Sequence, residues 1–132
     1  MIYGIGTDIV QVTRLQGSLD RFGEPFARRI LTLDEFEEFH NDKRPAHFLA
    51  KRFAAKEAVV KAMGTGFRGG VKLSDIGVVH NDAGRPGLYY SGRTQALLAE
   101  WGVTDSHISL ADEQDFAVAF VILLVRAPGS LA

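Results

Sequence analysis

The chain has 132 residues, of which 46% are hydrophobic and 23% charged, and its net charge at pH 7 is -1. This composition predicts a globular protein, and the near-neutral charge gives no general reason to expect nucleic acid or an anionic membrane as a partner. The chain has no cysteine, which excludes disulfide frameworks, zinc-thiolate sites and thiol catalysis and fits a reducing compartment. The N-terminus lacks the features of a signal peptide, and the longest apolar run, 116–125, is far shorter than the roughly 20 residues that span a bilayer. We therefore expect a cytoplasmic protein.

The first half of the chain predicts one short strand followed by helical segments. The expected bounds are 2–6 for the strand, 8–22 for a mixed segment of helical spacing, and 24–31, 33–41 and 46–63 for three helices. Thr32 and Glu35 have the spacing of a capping box, which begins the helix over 33–41. Gly64 follows the longest helix and is expected to be its C-cap glycine.

The second half of the chain predicts mostly strands. Expected in order are a glycine-rich loop, two strands joined by a hairpin turn, a helix and two strands, over residues 64–70, 74–80, 87–91, 92–101, 106–111 and 116–125. The last strand is apolar on both faces, which is typical of a central strand covered on both sides. The pattern predicts an α+β fold in which helices, including one long central helix, pack against one antiparallel sheet. Residues 1–126 form the single predicted domain, and residues 127–132 form a loose C-terminal tail.

The longest predicted helix has two apolar faces when its residues are placed 100° apart. Large apolar side chains form one face, and four alanines at positions 50, 54, 58 and 62 line the other, so we expect both faces to be covered. Glu57 and Lys61 lie one turn apart on the flank between them. They form either an ordinary helix-stabilising pair or part of a ligand site beside the glycine-rich loop. Lys56 falls on the core side, where we expect its amine to snorkel to the surface.

The first strand offers a partner for that flank. Gly4, Gly6 and Asp8 share one strand face, and the two glycines leave it nearly bare, which favours a closely packed helix. If that helix is the alanine-lined one, Asp8 meets Glu57, and an oxygen-only pair of carboxylates suits Mg²⁺ bound with waters and a phosphate. Asp8 is equally well placed to be the N-cap of the next segment.

Basic residues concentrate in the two early helical segments of a protein with no overall positive charge. They form either a solvated helix face or a docking surface for an acidic protein, with Phe26 as an apolar anchor. A non-enzymatic binding module that uses this patch is therefore one class of function that the residues allow. The basic residues are Arg14, Arg21, Arg28 and Arg29.

Three sequence blocks carry a resemblance to a known family. They are GIGTDIV at 4–10, FLAKRFAAKEAVVKAMGTG at 48–66 and HISLADEQDFAVAFVIL at 107–123, with further matches in ARRIL at 27–31 and GRP at 84–86. Together they span nearly the whole chain. The sequence resembles the holo-acyl-carrier-protein synthases, the small trimeric class of 4'-phosphopantetheinyl transferases.

The resemblance implies a reaction and a metal. Members of this family transfer the phosphopantetheine arm of coenzyme A to a serine of apo acyl carrier protein, an acidic partner, in fatty acid biosynthesis, and release adenosine 3',5'-bisphosphate. By resemblance Asp8 and Glu57 bind Mg²⁺, and Lys61 completes the catalytic set by holding the pyrophosphate. Either Glu57 or a water on the metal takes the serine proton. A relative that transfers another nucleotide-linked phosphoryl group is the nearest alternative.

The resemblance also implies a homotrimer with coenzyme A clefts between subunits. His107 and Ser109, which share one strand face, would be structural residues on the sequence alone, but by resemblance they contact the nucleotide. The full set implied for coenzyme A is Arg52, Lys61, Gly64, Arg85, Pro86, His107 and Ser109. The set implied for carrier-protein docking is Arg14, Arg21, Phe26, Arg28 and Arg29.

Overall fold

The computed structural model describes residues 1–126, and the tail predicted for 127–132 lies outside the described residues. Helices and strands are mixed along the chain, which confirms the predicted α+β class. No helix within residues 1–126 has the length and apolar character needed to cross a membrane. The elements are β1 (Ile2–Gln11), α1 (Val12–Phe22), α2 (Glu24–Ile30), α3 (Leu33–Asn41), α4 (Pro45–Met63), β2 (Ile76–His80), β3 (Pro86–Tyr90), α5 (Gly92–Glu100), β4 (Val103–Asp112) and β5 (Phe116–Val125).

The ends of α3 and α4 follow their sequence signals. The Thr32 hydroxyl accepts a hydrogen bond from the backbone amide of Glu35 at 3.2 Å, and the Glu35 carboxylate accepts one from the amide of Thr32 at 3.0 Å, which confirms the capping box. Gly64 ends α4 in the left-handed conformation, with φ 80°, which confirms it as the C-cap glycine.

The first strand is longer than predicted. It continues to Gln11 because it pairs antiparallel with β5, in a register that places Asp8 opposite Ala119 and Gln11 opposite Phe116. Asp8 therefore lies within β1, and Gln11 occupies the N-cap position of α1. The alternative interpretation of Asp8 as a helix N-cap is wrong, because long-range strand pairing overrides the local helical spacing.

The strands form two sheets instead of the single sheet that was predicted. A three-stranded antiparallel sheet has the order β1-β5-β4, and β2 pairs with β3 in a separate two-stranded sheet. β3 lies beside β4 without extending its hydrogen-bonded ladder, and α5 connects the two strands in sequence. The strand predicted to begin at Ser74 begins at Ile76, because a short 3-10 turn occupies Leu73–Asp75.

Helix α4 packs against the glycine face of β1, as the sequence predicted. A Cβ atom built on Gly4 would lie 1.9 Å from the carbonyl oxygen of Ala62, and one on Gly6 would lie 1.8 Å from that of Ala58. Only glycine permits so close an approach of two backbones. The contact places Asp8, on the same face of β1, at the flank of α4.

The opposite face of the three-stranded sheet is open in this chain. β5 is the central strand, as predicted, but the expectation that it is covered on both faces is wrong, since only the α4 side is buried. The apolar side chains on the open side are 37–63% exposed. We call this surface the open sheet face; it contains Ile5, Ile9, Phe116, Val118 and Phe120.

Candidate active site

An ion pair joins β1 to α4 at the edge of their contact. The Nζ atom of Lys61 lies 3.0 Å from an Asp8 carboxylate oxygen and donates a second hydrogen bond, also 3.0 Å, to the backbone carbonyl of Thr7. The side chain of Asp8 is 15% exposed and that of Lys61 is 54% exposed. The glycine face of β1 and the flank of α4 thus bring together two of the predicted catalytic residues.

Glu57 lies in the same site, one helical turn before Lys61. Burial raises the pKa of its carboxyl group above the ordinary value, the negative charge of Asp8 raises it further, and the positive charge of Lys61 partly offsets both effects. Gly6, two residues before Asp8, meets Ala58, the residue after Glu57, so the two carboxylates come from adjoining positions of β1 and α4. With both ionised and Lys61 protonated, the three side chains together carry one negative charge.

The chemistry of this pair fits a magnesium ion. Mg²⁺ prefers oxygen ligands and commonly binds one or two carboxylates together with waters and substrate phosphates. In the part of the chain that the structure describes, no group of three or more histidine, aspartate or glutamate side chains converges on one point. Asp8 and Glu57 would therefore supply two ligands and leave the remaining positions to water and phosphate oxygens.

A glycine-rich loop, residues 64–70, leaves the end of α4 close to Lys61. We call it the glycine loop. Four of its glycines have positive φ values between 61° and 89°, and most of its residues are exposed. A backbone without side chains at these positions allows a phosphate or another polar ligand group to approach its N–H groups closely. Gly64, predicted to contact coenzyme A, is the first residue of this loop.

Arg52 is more deeply buried than a typical phosphate ligand. Its side chain is 6% exposed, donates to the carboxylate of Glu38 at 3.2 Å and stacks over the Phe48 ring at 4.6 Å. The pKa of His80 is lowered by burial and next by the positive charge of Arg52, so Arg52 lies near the end of the β2–β3 hairpin.

The same end of the hairpin carries two further residues predicted to contact coenzyme A. Pro86 lies opposite His80 in the strand register, and Arg85, just before it, is exposed. The structure therefore brings Arg52, Arg85 and Pro86 to one end of the two-stranded sheet. Arg85 and Pro86 are neighbours in the hairpin, and Arg52 joins them because α4 packs against β2.

His107 and Ser109 lie on the other side of the three-stranded sheet from Asp8. Ser109 is opposite Phe120 on β5, and His107 is opposite Ile122. Because direct antiparallel partners share a face, both residues belong to the open sheet face, whereas Asp8 faces α4. A single chain does not bring His107 and Ser109 to Asp8 and Glu57.

The predicted docking residues lie on α1 and α2, which follow β1 directly. All four arginines are exposed and Phe26 is half-buried. The guanidinium of Arg21 stacks on the neighbouring Phe22 ring at 5.1 Å, and that of Arg28 on Phe36 at 5.0 Å. Stacking on these aromatic rings holds the two positively charged guanidinium groups at the surface. The remaining two, Arg14 and Arg29, add charge to the same pair of helices.

Lys56 does not behave as predicted. It was expected to reach the surface, but its side chain is fully buried and lies 2.6 Å from the carboxylate of Glu35 on α3. A lysine amine enters a protein interior when a carboxylate and backbone carbonyls receive its hydrogen bonds. The position of Lys56 on the core side of the predicted helix was a sequence signal for its burial. Its partner Glu35 lies 21 residues away in sequence, so the pair was not recognised.

The sequence and the fold match those of a known enzyme family. The sequence model of the 4'-phosphopantetheinyl transferase superfamily matches residues 4–121. The holo-[acyl-carrier-protein] synthase of Nitrosococcus oceani is 55% identical over 130 residues, which cover 98% of this chain and 84% of that protein.

Solved structures agree with the sequence comparison. The crystal structure of holo-[acyl-carrier-protein] synthase from Neisseria meningitidis superposes with a TM-score of 0.89 at 46% identity, over 94% of this chain and 99% of that one. A holo-(acyl-carrier-protein) synthase from Bacillus anthracis, in complex with CoA (3',5'-ADP), gives a TM-score of 0.79 at 38% identity, over 96% and 99% of the two chains. The chain belongs to the 4'-phosphopantetheinyl transferase superfamily, and within it to the holo-[acyl-carrier-protein] synthases.

Proposed function

We propose that the chain transfers the 4'-phosphopantetheine group of coenzyme A to a serine of an apo acyl carrier protein and releases adenosine 3',5'-bisphosphate. The observation that carries the proposal is the Asp8–Lys61 ion pair beside Glu57, at the contact of β1 with α4. The complex of the Bacillus anthracis relative with CoA supports coenzyme A as the donor. The carrier protein of cytoplasmic fatty acid biosynthesis is the acceptor that the family resemblance favours.

Each residue of the site has a role that its chemistry suits. Asp8 and Glu57 would hold Mg²⁺, which when bound would neutralise charge on the pyrophosphate of coenzyme A. The amine of Lys61 lies beside Asp8. It would place a positive charge next to the pyrophosphate oxygens of coenzyme A. The serine oxygen forms a bond to the phosphorus that carries the pantetheine arm, and the bond from that phosphorus to the bridging oxygen breaks. Either Glu57 or a water on the metal would accept the serine proton.

We further propose that the chain works as a homotrimer with its coenzyme A sites between subunits. The open sheet face is a contiguous set of exposed apolar side chains, which is typical of a protein–protein interface. His107 and Ser109 lie on this same face, away from Asp8. Assembly through the open sheet face would cover its apolar residues and present His107 and Ser109 to the site of a neighbouring subunit. Arg52, Gly64, Arg85 and Pro86 would bind coenzyme A from within one chain.

Carrier-protein docking is proposed for the basic surface of α1 and α2. Acidic carrier proteins are attracted by clustered arginines, and charge complementarity of this kind mainly increases the association rate and the specificity. Arg14, Arg21, Arg28 and Arg29 supply the charge, and Phe26 is the apolar anchor. Because α1 begins directly after β1, a carrier bound here would have its serine near Asp8.

The direct test is the intact mass of an apo acyl carrier protein incubated with the purified protein, coenzyme A and Mg²⁺. We expect the carrier to gain the mass of one phosphopantetheine group, and Glu57→Gln to abolish this gain while keeping the fold. Glu37→Gln, which removes an exposed carboxylate from α3, is the matched control and should retain activity. A competent carrier that gains no mass would exclude the function. Replacing coenzyme A with other nucleotide-linked phosphoryl donors tests the nearest alternative reaction.

A further inference from the structure

A buried ion pair lies on the core side of α4, away from the catalytic flank. The Nζ atom of Lys56 donates hydrogen bonds to the Glu35 carboxylate at 2.6 Å, to the backbone carbonyl of Leu73 at 3.2 Å and to the carbonyl of Ile76. Both charged side chains are completely buried. All three donor positions of the lysine amine are thus used, and two of them hold backbone atoms of the chain that follows the glycine loop.

Glu35 extends the same network to a second stretch of backbone. One carboxylate oxygen accepts a hydrogen bond from the amide of Val78 at 3.0 Å, and the other accepts one from the amide of Thr32, also at 3.0 Å. We call residues 73–78 the exit segment, because they follow the glycine loop after two intervening residues. Lys56 and Glu35 together hold the exit segment against α4 and α3 at three backbone positions.

Helix α4 therefore contacts the chain on both sides of the glycine loop. At the start, the amide of Gly64 donates to the carbonyls of Lys61 and Val60 at 3.1 and 3.2 Å. At the end, the exit segment is bound to Lys56, the residue that precedes Glu57. Because α4 is a continuous helix, Lys56 ties the exit segment to the same helix that carries the catalytic flank.

The two residues after the loop have contacts of their own, since Val71 is buried and the amide of Lys72 donates to the Thr94 hydroxyl at 3.4 Å. The glycine loop itself is exposed. Its contacts with the rest of the chain include a hydrogen bond of 3.1 Å from Arg93 to the carbonyl of Gly69. Its position therefore depends largely on where its ends are held. Apolar packing alone would allow the exit segment to slide, whereas charged hydrogen bonds to specific backbone atoms define one position.

We propose that Lys56 is a positioning residue for the coenzyme A site, which fixes the glycine loop relative to Glu57 and Lys61 by holding the exit segment. The inference rests on the proposed function, since it requires coenzyme A to contact this loop. If the ion pair only stabilised the fold, its loss would lower the free energy of unfolding. Coenzyme A binding would then weaken only in proportion to the fraction of protein that unfolds. A positioning residue affects affinity in protein that remains folded.

Three variants separate these two roles. Lys56→Met removes the amine and its three hydrogen bonds, and Lys56→Gln removes the charge but keeps a polar side chain, while both leave Glu35 with its bonds to the amides of Thr32 and Val78. Leu15→Ala, a buried substitution on α1 that lies outside the network, is the control for general destabilisation. We expect both Lys56 variants to raise the KM and Kd for coenzyme A about tenfold or more, while kcat stays within about threefold of the wild type.

The proposal would be overturned if the affinity for coenzyme A changed among the variants only in step with their melting temperatures. This result would be a folded Lys56→Met variant with wild-type affinity, or a Leu15→Ala variant with the same loss of affinity at equal destabilisation. A measurement on the wild type needs no variant to fold: saturating coenzyme A with Mg²⁺ should slow amide hydrogen exchange in residues 64–70. Unchanged exchange in this loop, with binding verified by a thermal shift, would overturn the positioning role alone. Failure of the wild type to bind coenzyme A would instead refute the proposed function.

Discussion

Gly6 marks one of the closest approaches of β1 to α4, so a single added methyl group tests whether this contact builds the active site. A Cβ at residue 6 would lie 1.8 Å from the carbonyl oxygen of Ala58 and 2.7 Å from the amide nitrogen of Ala62. Real Cβ atoms essentially never approach another atom within 3.0 Å. Gly6→Ala must therefore move β1 away from α4 by about 1.2 Å, because backbone atoms cannot rotate out of the way as a side chain can.

This displacement has a structural and a catalytic cost. Overpacking of a core contact costs roughly 1–3 kcal/mol, and a clash between two backbones belongs at the upper end of that range. For a chain of this size the corresponding fall in melting temperature is roughly 10 °C. Asp8 moves with β1, while Glu57 and Lys61 stay on α4. A misplacement of about 1 Å in a catalytic group reduces turnover on the order of 100-fold, so we expect kcat/KM to fall by about that factor.

The assay combines thermal unfolding with coenzyme A binding and carrier modification. Gly17→Ala is the matched control, because a Cβ at this position on α1 meets nothing within 4 Å. Alanine within a helix is favoured over glycine by roughly 0.5–1 kcal/mol, so the control should keep or raise the melting temperature and leave coenzyme A binding unchanged. Gly6→Ala with a wild-type melting temperature and turnover would refute the claim that the glycine contact positions Asp8.

Three further predictions concern the charge, the pH dependence and the assembly of the site. Lys61→Met removes the cation beside Asp8, so steady-state kinetics should show a KM for coenzyme A raised about tenfold; an unchanged KM would remove Lys61 from the site. Because burial and Asp8 raise the pKa of Glu57, protons compete with Mg²⁺ for its carboxylate above the usual carboxyl range. Apparent Mg²⁺ affinity, from activity titrations, should therefore increase as pH rises through this pKa and then level off, and an affinity that falls with rising pH would contradict the assignment. Phe120→Glu places a charge on the open sheet face and should dissociate the oligomer in sedimentation experiments, and persistence of the wild-type assembly would exclude this face as the interface.

The core of the site was predictable because short-range patterns encode it. Gly4 and Gly6 alternate with Asp8 on one strand face, and the alanines of α4 recur at a helical spacing, so two complementary surfaces are visible in the sequence. Their contact follows from the need to bury both surfaces. The capping box at Thr32 and the C-cap at Gly64 were equally local, and both were predicted correctly.

The features that the sequence did not reveal depend on distant partners. The extension of β1 through Gln11 requires β5, which lies more than 100 residues away in the chain. The burial of Lys56 depends on Glu35, which the packing of α3 against α4 brings to it. The alternating apolar residues of β5 look the same whether a helix of this chain or another subunit covers them, so the open sheet face was indistinguishable from core.

The central claim is that Asp8 and Glu57 together form a magnesium-dependent phosphopantetheinyl transfer site. It is tested most directly by the intact mass of the carrier after incubation with coenzyme A, measured across a Mg²⁺ titration for the wild type and for Asp8→Asn. We expect the wild type to add one phosphopantetheine group only when Mg²⁺ is present. The variant should need far more Mg²⁺ or remain inactive, although its fold is retained. Full modification of the carrier in the presence of a chelator, or an Asp8→Asn variant with wild-type Mg²⁺ dependence, would contradict this account.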